Sequence, residues 1–390
     1  MPPSPDLPLV ASRPEIEIEI DGAKYPSLSA ALKLAEVTHS LGMPAALNMH
    51  LGVQPARAEE PPVELHAAVR LRVGDELLFA GRITAIEQRW GTSEPPVLVV
   101  EAHDALRHAM TGEHVWQYAN ETARKVLSAI AQKAGLTLQA NAALLDRPHT
   151  WSQIRQTDLQ LLTQIAAHCC TEFWCDSDSV LHVEDALSAP GATQSLRLGE
   201  TLQDVGIRHD LLASATGATA AGWDMAIAQA ILEQQSSLGT GSEATTVITR
   251  LTELGLKNER IVPIAASSVD HATALASGTF TRHAFRYLQA NGIATDSPWL
   301  KPGHWLALEG IDRELDTEFY LRSVTHHYTP QDGLQTRFLG ERPSAGHQEV
   351  RRHAGEHRRD SGDHDPSSGG PPRPIRTFDT LFSFLGRIRR

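Results

Sequence analysis

The sequence predicts a mainly β protein with α+β inserts, built around two similar small antiparallel β-barrels in one chain. Three observations carry this. Gly74 and Gly81 bracket a short, mostly apolar run with six residues between them, and Gly303 and Gly310 do the same more than two hundred residues later. Each cassette is followed by two further strand-like segments, residues 83–87 and 97–100 in the first, 319–324 and 334–338 in the second. Between the cassettes the apolar period lengthens from two to that of a helix over residues 112–190. Glycines bracketing a strand suit the tight corners of a small barrel, where a side chain would block close backbone approach. The paired glycines are therefore expected at matching corners of two superposable barrels. The same spacing also arises by chance, because turn glycines are common in any sheet. A duplicated barrel suggests a chain that imitates a higher symmetry than its number of subunits.

Residues 1–14 are Pro-rich and read as a mobile N-terminus. Residues 15–111 read as the first barrel. Ile16, Ile18 and Ile20 alternate with Glu15, Glu17 and Glu19 and run into Asp21-Gly22, a hairpin signal. A mixed stretch follows, and then a strand with Leu65, Ala67, Val69, Leu71 and Val73 on one face and His66, Ala68, Arg70 and Arg72 on the other. Residues 112–190 read as an α+β insert. Asn120 is placed to cap a helix that buries Ala123, Leu127, Ile130, Ala131 and Ala134 and stops at Gly135. Thr157-Asp158-Leu159-Gln160 is a capping box opening a second helix, and a hairpin turns at residues 176–179. Residues 191–342 read as the second barrel, with an exposed loop over 234–243, a helix capped by Asp270 and reaching about Gln289, and a hairpin through Gly333. Residues 343–390 read as a disordered tail that recovers an apolar helical face only at Phe378, Leu381, Phe382, Phe384, Leu385 and Ile388.

The net charge of −12 is uneven: residues 341–390 hold 10 Lys/Arg and 7 Asp/Glu, a balance of +3, leaving −15 on residues 1–340. That acidic body argues against a nucleic-acid surface, which needs clustered cations to displace counterions. Cys169, Cys170 and Cys175 are too few for a disulfide framework and too crowded for a zinc spacing, so they read as small buried hydrophobes. The N-terminus has neither the basic start nor the apolar core of a signal peptide, and no apolar run is long enough to span a membrane. No P-loop, nucleophile elbow, His-Glu-x-x-His or dinucleotide fingerprint is present. His326 and His327 are adjacent on a strand, so they point to opposite faces and cannot easily share an ion. No catalytic residue, cofactor or metal is expected. A hydrolase built from scattered carboxylates remains the alternative, since such a site needs no local motif.

Residues 71–75 and 81–87, the closing strand and turn with Asp104, the helix at 156–162, Gly222-Trp223-Asp224, and the run from Pro298 through His327 to residues 333–338 together resemble the contractile-tail baseplate hub family. That family comprises the phage late control D proteins and the hub half of VgrG-type spike proteins. The resemblance spans about residues 14–342. It implies a ring-forming homotrimer that adapts a hexameric tail tube to a trimeric spike and lacks catalysis in the hub itself. VgrG-type chains continue into an OB domain and a β-helical needle; this sequence has neither, so the implied spike is a separate chain. The implied partners are the tail-tube protein, that spike, other baseplate proteins and, through the tail, cargo. The implied location is the bacterial cytoplasm during assembly, then the baseplate of a phage-like or extracellular contractile particle. The family signature residues are Gly74, Gly81, Asp104, Gly303, Gly310 and Gly333.

Overall fold

Alternating burial sets the first lobe. In the computed structural model, which describes residues 15–52, 63–92, 95–185, 194–225, 227–236, 248–249, 251–312 and 315–343, β1 (Ile16–Ile20) buries each isoleucine and turns it away from the glutamates. Asp21 and Gly22 both have positive φ, +46° and +82°, as the expected hairpin turn into β2 (Ala23–Lys24) requires. A short α1 (Pro26–Ala31) then leads to β3 (Leu32–Ser40), β4 (Ala46–Gly52), β5 (Ala68–Val73), β6 (Glu76–Arg89) and β7 (Val97–His103). Val69, Leu71 and Val73 face the core as expected, whereas Leu65 is exposed, because His66 at φ +72° turns the chain before the strand begins.

The insert follows as β8 (His114–Thr122), α2 (Ala123–Ala134), β9 (Thr137–Asn141), β10 (Pro148–Gln156), α3 (Asp158–Cys169), β11 (Thr171–Cys175) and β12 (Val180–Asp185). It has its own core, in which Leu127, Ile130, Trp151, Leu162, Ile165 and Leu181 are buried. The cap of α2 is Thr122, whose Oγ1 accepts from the Lys125 N–H; Asn120 lies two residues earlier in β8, because β8 runs straight into the helix. The Thr157 capping box opens α3 as the sequence predicts.

The second lobe has β13 (Ser195–Arg197), β14 (Leu202–His209), an embedded unit of β15 (Gly217–Asp224), β16 (Gln229–Gln235), β17 (Glu259–Ile261) and α4 (Val269–Phe285), then β18 (Leu288–Thr295), β19 (Trp305–Glu309), β20 (Thr317–Thr329) and β21 (Gly333–Arg342). Ser268 rather than Asp270 caps α4, and the helix ends at Phe285 rather than near Gln289, since Leu288 opens β18.

The pairings reveal the duplication. The first lobe orders its strands β1-β5-β6-β7-β4-β3; the second orders them β13-β19-β20-β21-β18-β14. Ranked by appearance in each lobe, the two orders are identical. Bulges fall at equivalent places too: Lys33 in β3 matches Gln203 in β14, and Thr84 in β6 matches Arg322 in β20. One pairing differs, since β1 runs antiparallel to β5 and β13 parallel to β19.

The mainly antiparallel fold with an α+β insert is thus present, but not as two separate closed barrels. Among the described residues no pairing closes either lobe. Instead β3 joins β20, so both lobes belong to one 13-stranded sheet. An edge that would have closed the first lobe is spent on the second. Among the described residues no helix is long and apolar enough to cross a membrane. The N-terminal stretch, the tail and most of the expected loop at 234–243 lie outside the described residues.

Candidate assembly interface

Of the six signature residues, five are glycines whose place is set by the backbone, Gly303 among them bordering a cavity, and the sixth, Asp104, acts through its carboxylate. Gly74, at φ +58°, makes the β5–β6 turn, and Gly333, at φ +73°, makes the β20–β21 turn. Gly303 and Gly310, at φ +81° and +77°, flank β19. Gly81 instead sits within β6, opposite Val69. A Cβ there would lie 2.3 Å from the His103 carbonyl oxygen, so the absent side chain lets β6 cross β7 closely. The expected equivalence of the two glycine pairs is therefore out of register by one strand. By pairing position Gly310 corresponds to Gly74, each following the strand that opens the three-stranded meander. Gly303 corresponds to His66, each two residues before that strand and each with positive φ. Gly81 has no glycine counterpart.

Asp104 is 3% exposed. Its carboxylate accepts from the Ala45 N–H at 2.8 Å and from the Leu106 N–H at 2.9 Å, capping the turn of 3-10 helix at Ala105–Met110. Burial pushes its carboxyl up to about 6, against those two amides. The residue fastens the first lobe where the insert departs.

The β3–β20 seam is the second feature. The Thr38 and Thr325 hydroxyls lie 3.4 Å apart across it. The His39 and His326 rings meet edge-on with centroids 6.1 Å apart. His326 is 2% exposed, with Nδ1 3.0 Å from Thr336 Oγ1. Burial pushes the His326 imidazole down to about 3 and lowers that of His39, so both are neutral. His327 is half-buried and points away, as adjacent strand residues must. Arg322, at the bulge of β20, donates to Glu172 of β11, which also accepts from the Tyr320 hydroxyl at 2.9 Å; Arg322 Nε lies 3.6 Å from Glu341 Oε2. The insert is thereby tied to the second lobe.

A cavity of about 370 Å³ opens where the lobes and the insert meet, with His39, Trp174, Asp176, His182, Lys301 and His326 among its walls. Trp174 stacks on His182, whose Nε2 contacts Asp176 Oδ2 at 2.7 Å. The one thiol there, Cys175, is pushed upward by burial, as Cys169 is to about 12 and Cys170 to about 11. These thiols are packed hydrophobes rather than nucleophiles.

Among the described residues, two of the open edges in the large sheet are equivalent to the two edges joined at the seam. β20 gives one side to β21; its other side goes to β19 over 317–320 and to β3 over 323–328. β6 gives one side to β7 and the other to β5, but only as far as Arg82. Among the described residues the β5 side of β6 from Thr84 onward has no partner strand, nor does the outer side of β14 from Val205 to His209. Trp90, just past β6, is 72% exposed. Sequence reading misses both β3 and β14. Their bulges at Lys33 and Gln203 break the two-residue alternation, and β14 is largely exposed, so neither shows a period.

The model of the Alg8 N-terminal domain family matches residues 61–330, more than half of the chain. The chain belongs to that family. The matched span holds Gly74, Gly81, Asp104, Gly303 and Gly310, while Gly333 falls just beyond it. No curated protein matches. Among solved structures, the 43 kDa tail protein of prophage MuSo2 from Shewanella oneidensis is 16% identical, over 84% of this chain and 98% of its own, at a TM-score of 0.65. The tail protein from Neisseria meningitidis MC58 is 12% identical, over 86% of this chain and 99% of its own, at a TM-score of 0.63. The E. coli c3393 protein, a component of the type VI secretion system with structural similarity to the T4 bacteriophage tail proteins gp27 and gp5, is 12% identical, over 85% of this chain and 77% of its own, at a TM-score of 0.55. The resemblance to contractile-tail baseplate hubs thus holds at the level of the fold.

Proposed function

We propose that this Alg8 N-terminal domain family member is a structural baseplate hub of a contractile phage-like tail or injection particle, and acts without catalysis. Three chains assemble into a ring whose six lobes meet a hexameric tail tube on one side, while a trimeric spike docks on the other. The observation that carries this is the duplication: two lobes of the same strand order, with matching bulges, are fused through one sheet seam in a single chain. A three-fold ring of such chains offers six similar surfaces, which is what a six-fold partner needs. The tail-protein folds that the chain resembles support the same reading.

The competing reading, a tail-tip cell-wall hydrolase, needs a raised-pKa carboxylate free to act as an acid. Two of the carboxyls that burial raises have structural roles: Asp104 caps a helical turn and ties down Ala45, and Glu341 lies against Arg322. Native mass spectrometry of the purified chain, with electron microscopy of particles that carry it, tests the proposal. A trimer placed between tube and spike is the expected outcome. Peptidoglycan clearing that survives purification, or a chain located away from the tube–spike junction, overturns it.

A further inference from the structure

Among the described residues, the internal seam uses up one copy of each of two complementary edges and leaves the other copy open. In the first lobe the outer side of β3 is paired and the β5 side of β6 beyond Thr84 is not; in the second lobe the equivalent half of β20 is paired on both sides and the outer side of β14, the equivalent of β3, has no partner strand over 205–209. We propose that the seam repeats between copies of this chain: β14 of one copy pairs antiparallel with residues 85–90 of the next. The partner is a second copy, because the surface β14 would have to fit already exists in the chain, as the half of β20 that β3 occupies. The inference rests on the ring reading above and adds its strand register.

The register follows from the bulges. Aligning Gln203 with Lys33 and Thr84 with Arg322 carries the observed pairs Ala35↔Tyr328, Val37↔His326, Thr38↔Thr325 and His39↔Val324 onto Val205↔Trp90, Ile207↔Gln88, Arg208↔Glu87 and His209↔Ile86. Two independent observations fit that register. Thr38 and Thr325, whose side chains touch across the internal seam, are replaced at the open edges by Arg208 and Glu87, an opposite-charge pair directly across the strands. Tyr328 packs from the second lobe against the first-lobe core, and its equivalent at the open edge is the exposed Trp90. In the ring Trp90 lies over Val205 of the next copy and loses its exposure to water. In the isolated chain Glu87 bonds Arg89 at 2.8 Å and 3.0 Å, and Arg208 contacts Asp210 at 2.5 Å, so both charges are held near the edges they would share. A head-to-tail interface of this kind either closes or grows into fibres, and closure leaves no edge open to stray strand pairing.

Charge reversal tests it. Arg208→Glu, Glu87→Arg and the double variant are compared with the parent chain by native mass spectrometry and light scattering over a concentration series. A repulsive pair enters once per seam, and a three-membered ring has three seams. Each single reversal is therefore expected to raise the concentration at half-assembly by roughly tenfold or more, with the double variant returning close to the parent. The return guards against a variant that merely misfolds. Singles that assemble like the parent, or a double variant that does not recover, overturn the register while leaving the trimer standing. A parent chain with the mass of one or two copies at every concentration overturns the ring reading itself.

Discussion

At the scale of single residues, the signature glycines divide into two kinds with different energetics. Gly81 is held by proximity: a Cβ there meets the His103 carbonyl at 2.3 Å and the Phe79 ring at 2.6 Å. Gly310 has room, with its nearest neighbour 3.5 Å from a Cβ, but sits at φ +77°. Gly81→Ala is therefore expected to cost about 2–4 kcal/mol through overpacking, and Gly310→Ala about 1–2 kcal/mol through backbone strain alone. Urea unfolding of the two variants gives the ranking, and equal costs would show that the close crossing of β6 and β7 relaxes. His326 gives a pH signature. Folded, it is neutral down to about 3, whereas the unfolded chain takes up the proton near 6.5. Above 6.5 the two states bind alike. As pH falls from 6.5 toward 3 only the unfolded state gains a proton, so stability drops by about 1.4 kcal/mol per pH unit for this group. His326→Asn should lower stability at neutral pH yet flatten the slope between pH 6 and 4 by about one proton, read from urea midpoints. An unchanged slope would mean that His326 is charged in the fold.

At the scale of elements, helix starts follow side-chain caps. Thr157 accepts from the Gln160 amide at 3.2 Å while the Gln160 side chain accepts from the Thr157 amide at 2.8 Å, and Ser268 accepts from the His271 amide at 3.2 Å. Thr157→Ala and Ser268→Ala should each cost about 1 kcal/mol, with Asp270→Ala costing less than Ser268→Ala. Thermal melts of these variants distinguish the caps. The capping box of α3, the hairpin turns and the amphipathic α2 were legible because each is written within a few consecutive residues. The strands β3 and β14 were not, because a bulge shifts the face of every residue after it.

At the scale of the whole molecule, ion pairs tie the insert to the second lobe, and the Glu172–Arg322 pair is more enclosed than the exposed Arg147–Asp270 pair. Glu172 is 7% exposed, and Arg322 is the cation that also faces Glu341. Arg322→Ala should destabilise the chain by about 3–5 kcal/mol, because two buried carboxylates then face each other without a counter-charge. Faster proteolysis within residues 112–185, compared with the parent, is the measurement. Unchanged cleavage would place the insert's attachment elsewhere, for example at the Gly42 amide, which donates to the Phe173 carbonyl at 2.7 Å.

The sequence by itself determined the class of fold, the capping box of α3 and the positive-φ turns at Gly74 and Gly333, because each depends on local patterning or on one residue's backbone freedom; it suggested a duplication, but on glycine pairs that are not the equivalent ones. It also carried the absence of motif chemistry and the resemblance to baseplate hubs. Tertiary structure alone decided which glycines correspond, since equivalence is defined by strand pairing and not by spacing: Gly74 answers to Gly310, and Gly81 to no glycine. It alone decided that the lobes share one sheet through β3 and β20. Pairing partners are set by edges brought together from residues nearly three hundred apart, and nothing in a local period records which edge a strand will meet.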